Sequence, residues 1–115
     1  MSKRDWTLFL QDILESIGLI EDYIRDMDLD NFKGDRKTVD AVVRNLEIIG
    51  EAARNIPEDI RDAYSEIDWK GIIGLRNRIA HEYFGIDYSI IWNIITAEIP
   101  PFKGPLQEIQ KKAER

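Results

Sequence analysis

The chain holds one histidine, His81. The string around it, Arg76-Asn77-Arg78-Ile79-Ala80-His81-Glu82-Tyr83-Phe84, gathers residue types that can do chemistry together. An imidazole titrates near neutrality, so it can take a proton from a ribose 2′-hydroxyl or give one to a leaving oxygen. A guanidinium presents a planar fork of donors that suits phosphate oxygens and the charge that grows on them in a transition state. Together they suit phosphodiester cleavage without a metal. Such cleavage needs a base and an acid. One histidine per chain can be the base, the acid, or one of two in a symmetric dimer, and the spacing leaves all three open. Read alone, His81 is an ordinary surface histidine; its neighbours are what make it a candidate.

Helical geometry limits how these groups meet. Asn77 and His81 are four residues apart, so they share a helix face, and Asn77 can orient the imidazole. Arg76 precedes His81 by five residues, about 140° around the helix. One straight helix does not bring that guanidinium onto the imidazole. Two copies packed across a two-fold axis can, which favours a dimer with a shared cleft. Arg78 is four residues before Glu82 and reads as a surface ion pair. Tyr83, read without other context, packs beside Phe84.

The elements that must hold these residues are helical nearly throughout. Trp6, Leu10, Ile13, Ile17, Ile20, Ile24 and Met27 form one apolar stripe at helical spacing. Ser2 with Asp5 three residues on resembles a capping box for that helix. Asp28 to Gly34 is polar and reads as a loop. A second helix is predicted from about Asp35 to Ile56, with Val39, Val42, Val43, Leu46, Ile49, Ala53 and Ile56 inward, ended by Pro57. Pro57 can open a short third helix that turns Ile60 and Tyr64 inward. Asp68 is a good N-cap for a fourth helix that carries the motif and ends near Gly85. Gly71 and Gly74 weaken this helix and suggest close packing of another backbone. Asp87 can cap a fifth, which Pro100 and Pro101 must kink or stop before a last segment with Phe102, Leu106 and Ile109. No strand pattern or internal repeat stands out. The predicted fold is all-α: an antiparallel bundle of four or five helices in one domain, residues 1–115.

Composition narrows the function. The length of 115 residues suits one domain, and 43% hydrophobic with 33% charged residues is ordinary for a soluble globular chain. With no cysteine, a disulfide framework, thiol catalysis and Cys-ligated metal sites are excluded. A reducing, cytoplasmic setting is expected. No stretch has the length of a membrane span, and Trp6 to Leu10 behind Lys3 and Arg4 is too short for a secretory signal. The net charge is −6 and the pI about 4.8, so a global basic footprint for nucleic acid is absent. Lys70 to Gly85 is the local exception: Lys70, Arg76 and Arg78 against Glu82 give +2, leaving −8 on the rest.

The form Arg-x4-His-x-Tyr resembles the motif of the HEPN ribonucleases, and specifically the HepT-like toxins of HepT–MntA toxin–antitoxin pairs. The likeness extends to Ser2-Lys3-Arg4-Asp5-Trp6, to Arg44 through Pro57, and to Trp69 through Phe84, and so to nearly the whole chain. The resemblance implies an all-helical HEPN bundle and a homodimer with the motif lining an interface cleft. It implies a metal-independent endoribonuclease that leaves a 2′,3′-cyclic phosphate. Arg76 and His81 would be its catalytic pair, and Asn77 the polar residue that follows the motif arginine. Tyr83 would be the tyrosine that the partner nucleotidyltransferase, MntA, modifies with AMP. The added nucleotide would bring bulk and negative charge beside the cleft and repel an RNA phosphate. RNA is then the expected substrate, with neither DNA nor membrane as a partner and neither cofactor nor metal required. The acidic pI sits awkwardly with this. It favours an alternative: a non-catalytic module of the same fold that binds nucleotide or braces a nucleotidyltransferase. A structural helical dimer with an incidental motif is a third reading.

Other constellations are weaker. Glu47 and Glu51 are at i and i+4 and can hold a divalent ion, though Arg44 and Arg54 nearby suggest surface ion pairs. Trp6, Trp69 and Trp92 read as core or interface rather than base-stacking platforms. No glycine-rich phosphate loop is present.

Overall fold

The computed structural model describes residues 5–84 and 87–114, without the side chains of 81–84. The described chain is an all-α bundle. Its helices are α1 (Trp6–Tyr23), α2 (Leu29–Lys33), α3 (Arg36–Asn55), α4 (Glu58–Ala63), α5 (Trp69–Ile73), α6 (Leu75–Phe84), α7 (Tyr88–Asn93) and α8 (Pro100–Ala113), with a π-helical turn at Ile94–Glu98. Helix α3 is central. It packs against α1, α2, α5 and α6, while α1 also contacts α8. The predicted stripes are its reason: Leu10, Ile13, Ile17 and Ile20 of α1 and Val39, Val42, Leu46 and Ile49 of α3 are all buried. Each fully buried side chain of this size contributes about 1.5–3 kcal/mol.

Several boundaries differ from the sequence expectation. Helix α1 is capped by Asp5, whose carboxylate accepts from the Thr7 N–H at 3.0 Å. Ser2, the expected cap, lies outside the described residues. The helix stops at Tyr23 rather than running to Met27, and Asp26 takes a left-handed φ of 63° in the turn that follows. The polar segment 28–34 is not a loop. Asp28 and Asn31 form a reciprocal capping box, at 2.8 and 3.1 Å, and Phe32 is wholly buried. Its ring lies 5.2 Å from that of Trp92, which anchors α2 to α7. Five residues cannot sustain a helix in water; this tertiary anchor does.

The expected fourth helix is two helices. Gly74 closes α5, donating its N–H to the Lys70 carbonyl at 3.0 Å, and its own carbonyl accepts from Arg78 N–H at 3.1 Å. The prolines act as expected: the chain passes through the π turn and Ile99, and Pro100 and Pro101 open α8. The tryptophans belong to the core. Trp69 is buried with its indole N–H on the Tyr64 carbonyl at 3.1 Å, and Trp6 and Trp92 pack against the core. No helix is long and apolar enough to cross a membrane among the described residues.

Candidate active site

Helix α6 carries the motif, and three features set its position. Leu75 and Ile79 are buried and hold one side of α6 against the core. Gly50 of α3 lets the α5–α6 junction come close. A Cβ at Gly50 would lie 3.2 Å from the Ile72 carbonyl oxygen and 3.7 Å from the Arg76 backbone nitrogen. The close backbone approach is therefore made at Gly50, not at Gly71 or Gly74. A Cβ at Gly71 would meet the Asp68 capping carboxylate, and one at Gly74 would meet the backbone of its own turn. The signal for Gly50 was a glycine in the middle of a strongly amphipathic helix, where it costs about 1 kcal/mol relative to alanine.

The third feature is an ion pair that reaches across the fold. Glu82, the i,i+4 partner that spacing suggests for Arg78, has its side chain outside the described residues. The Arg78 fork engages Glu98 of the π turn, Nη1 to Oε1 at 2.6 Å and Nη2 to Oε2 at 2.8 Å. Asn93 Nδ2 donates to the same carboxylate at 3.3 Å. The Arg78 hydrogen bonds hold the Glu98 carboxyl below the usual glutamate range. Bidentate geometry of this kind fixes orientation as well as charge. It ties α6 to the π turn twenty residues further along the chain.

Arg76 and Asn77 are exposed in the first turn of α6. The Arg76 side chain makes no hydrogen bond or ion pair among the described residues. Its side chain lines an open cleft of about 370 Å³ between α1, α3 and α6. Arg44, Glu47, Glu51 and Asn55 line that cleft from α3, and Phe9 and Asp12 from α1. Glu47 and Glu51 make no ion pair with Arg44 or Arg54, contrary to the expected surface pairing. No group of three or more metal-ligating side chains forms among the described residues.

The backbones of His81 and Tyr83 lie in the same uninterrupted helix, one and two turns beyond the arginine; their side chains lie outside the described residues. The helix rises about 7.5 Å from Arg76 to His81 and turns about 140°. The structure thus gathers Arg76, Asn77, His81 and Tyr83 on one ten-residue helix. It adds to Arg76 a cleft that no local spacing could indicate.

Comparison with known proteins bears on this arrangement. The model of the family "Ribonuclease HepT-like" matches residues 13–109. A Methanocaldococcus jannaschii protein named "Putative RNase" is 46% identical over 114 residues, covering 99% of this chain and 94% of that protein. The "Probable ribonuclease HepT" of Thermococcus cleftensis is 40% identical over 109 residues, covering 95% of this chain and 99% of that protein. A "Putative RNase" of Caldanaerobacter subterraneus subsp. tengcongensis is 38% identical over 104 residues, covering 90% and 93%. No solved structure matches the chain. With a helical bundle, an exposed motif arginine at an open cleft, and a family match across 13–109, this chain belongs to the HepT-like ribonuclease family.

Proposed function

We propose that this chain is an endoribonuclease that cuts RNA without a metal and leaves a 2′,3′-cyclic phosphate. The observation that carries the reading is Arg76: exposed, uncommitted among the described residues, and set at a cleft on the same helix as the single histidine. In the reaction the ribose 2′-oxygen bonds to phosphorus and the bond to the 5′-oxygen breaks. One imidazole takes the 2′-hydroxyl proton, and the leaving 5′-oxygen gains a proton from an acid. Arg76 holds the phosphate oxygens as charge grows on them. Asn77, one turn before His81, orients the imidazole. Because Arg76 and His81 are about 140° apart on one helix, the site is completed by a second copy across a two-fold axis. The requirement for a 2′-hydroxyl leaves DNA uncut.

We further assign the chain to the toxin side of a HepT–MntA type pair, acting in the cytoplasm. The partner is a nucleotidyltransferase that silences the site by adding AMP to Tyr83. On α6, Tyr83 is seven residues after Arg76, two turns along nearly the same line, so a nucleotide there would crowd the phosphate site.

The test is RNA cleavage by purified, unmodified protein in EDTA, beside His81→Ala, with end-group analysis and intact mass. Cyclic-phosphate ends from the wild type alone carry the reading. Intact RNA across a broad substrate panel, with adducts on Tyr83 excluded by mass, would overturn it in favour of the non-catalytic nucleotide-binding module.

A further inference from the structure

We propose that the cleft beside Arg76 is a base subsite and that the base it takes is guanine. Its role in catalysis rests on the ribonuclease reading above. The cleft's volume of about 370 Å³ accommodates one nucleotide. Phe9 of α1 supplies an aromatic part of its wall. Along α3, Arg44, Glu47, Glu51 and Asn55 line it at helical spacings of three and four residues, while Arg76 closes it from α6.

The polar lining sets the carboxylates of Asp12, Glu47 and Glu51 against the guanidiniums of Arg44 and Arg76. Glu47 and Glu51 make no hydrogen bond or ion pair through their carboxylates among the described residues. Asn55 gives its Nδ2 donor to the Glu51 backbone carbonyl at 2.9 Å. The two carboxylates on α3 suit a base edge rich in N–H groups. Guanine presents N1–H and N2–H side by side, the pair that a carboxylate accepts in two parallel bonds, with O6 next to them as an acceptor. Arg44, also without a partner among the described residues, can donate to O6. Uracil turns two carbonyls toward the same carboxylates and offers one N–H between them. Adenine and cytosine each offer a single amino group.

This assignment also accounts for an acidic chain acting on RNA. The backbone phosphates contribute little attraction at a net charge of −6. Binding comes instead from a base read inside the cleft, with its phosphate delivered to Arg76 at the cleft's end.

The experiment is calorimetric binding of guanosine, inosine and uridine 3′-monophosphates to the intact wild-type chain and to a Glu47→Gln/Glu51→Gln variant of verified helicity. Wild type should prefer guanosine over uridine by about tenfold or more, the scale of one good bidentate base contact. Inosine, lacking the N2 amino group, should fall between. The double variant should lose the preference, while His81→Ala keeps it. Equal binding of guanosine and uridine by wild type, or an undiminished preference in the double variant, would overturn the subsite. Guanosine preference without any RNA cleavage keeps the subsite and sinks the ribonuclease reading. Cleavage without base preference does the reverse.

Discussion

Gly50 offers a direct test of how the fold holds Arg76. Gly18, in the middle of α1, has nothing within 4 Å of where a Cβ would stand; Gly50, in the middle of α3, has the Ile72 carbonyl oxygen at 3.2 Å. Replacing a helical glycine by alanine gains up to about 1 kcal/mol, largely because the unfolded chain has less freedom to lose. Gly18→Ala should collect about 0.5–1 kcal/mol of that gain. For a domain of this size that is a rise of roughly 2–4 °C in Tm. At Gly50 the same gain is opposed. The nearest atom belongs to backbone, so α5 must shift by a few tenths of an ångström rather than a side chain swinging aside. The expected net for Gly50→Ala is near zero, trailing Gly18→Ala by about 0.5–1 kcal/mol, because even one added methyl strains a packed interior. Gly50→Val should overpack and cost about 1–3 kcal/mol. Because the same Cβ lies 3.7 Å from the Arg76 nitrogen, the shift reaches the motif. Displacing a phosphate-holding group by about 1 Å can lower a rate on the order of a hundredfold. Urea unfolding followed by circular dichroism gives the first quantity, and RNA cleavage well below Tm the second. If Gly50→Ala stabilises as much as Gly18→Ala, and Gly50→Val cleaves RNA like the wild type, the close approach does not position Arg76.

Three further outcomes are expected. Arg76→Ala should leave stability within about 0.5 kcal/mol, as for an exposed side chain, yet lower cleavage by roughly 10²–10³; a large fall in melting temperature would show a structural role instead. Phe32→Ala should cost about 3–5 kcal/mol by opening a cavity against Trp92, and a loss under 1 kcal/mol in a denaturant titration would mean that α2 does not anchor α7. The Glu98 carboxyl is held below its ordinary pKa by Arg78, so its contribution is present above the unfolded glutamate value and fades as pH falls through the lower folded value. Since both side chains are over a third exposed, that contribution is at most about 1 kcal/mol. Glu98→Gln should therefore flatten the acid limb of stability below about pH 4.3, the unfolded glutamate pKa; an acid limb as steep as that of the wild type would rule the pair out as its source.

What the amino-acid order determined by itself was local or periodic. The stripes of α1 and α3 could be read because long helices show their buried face every three or four residues. Asp68 and Asp87 could be read as caps because a carboxylate reaches an N–H two or three residues on; they do so at 3.0 and 3.1 Å. The Arg76-to-Tyr83 spacing was legible for the same reason, and so was the family it resembles. Tertiary structure decided whatever depends on a distant partner. Segment 28–34 looks like a loop until Phe32 finds Trp92. Spacing offers Arg78 a partner at Glu82, but Glu98, which a fold-back of the chain brings within 2.6 Å, has no local signal. Gly74 could break a helix or bend it; in the fold it ends α5, and α6 begins at Leu75. The cleft has no sequence signature, because Phe9, Glu47 and Arg76 lie on three helices and meet only where Gly50 lets two backbones touch.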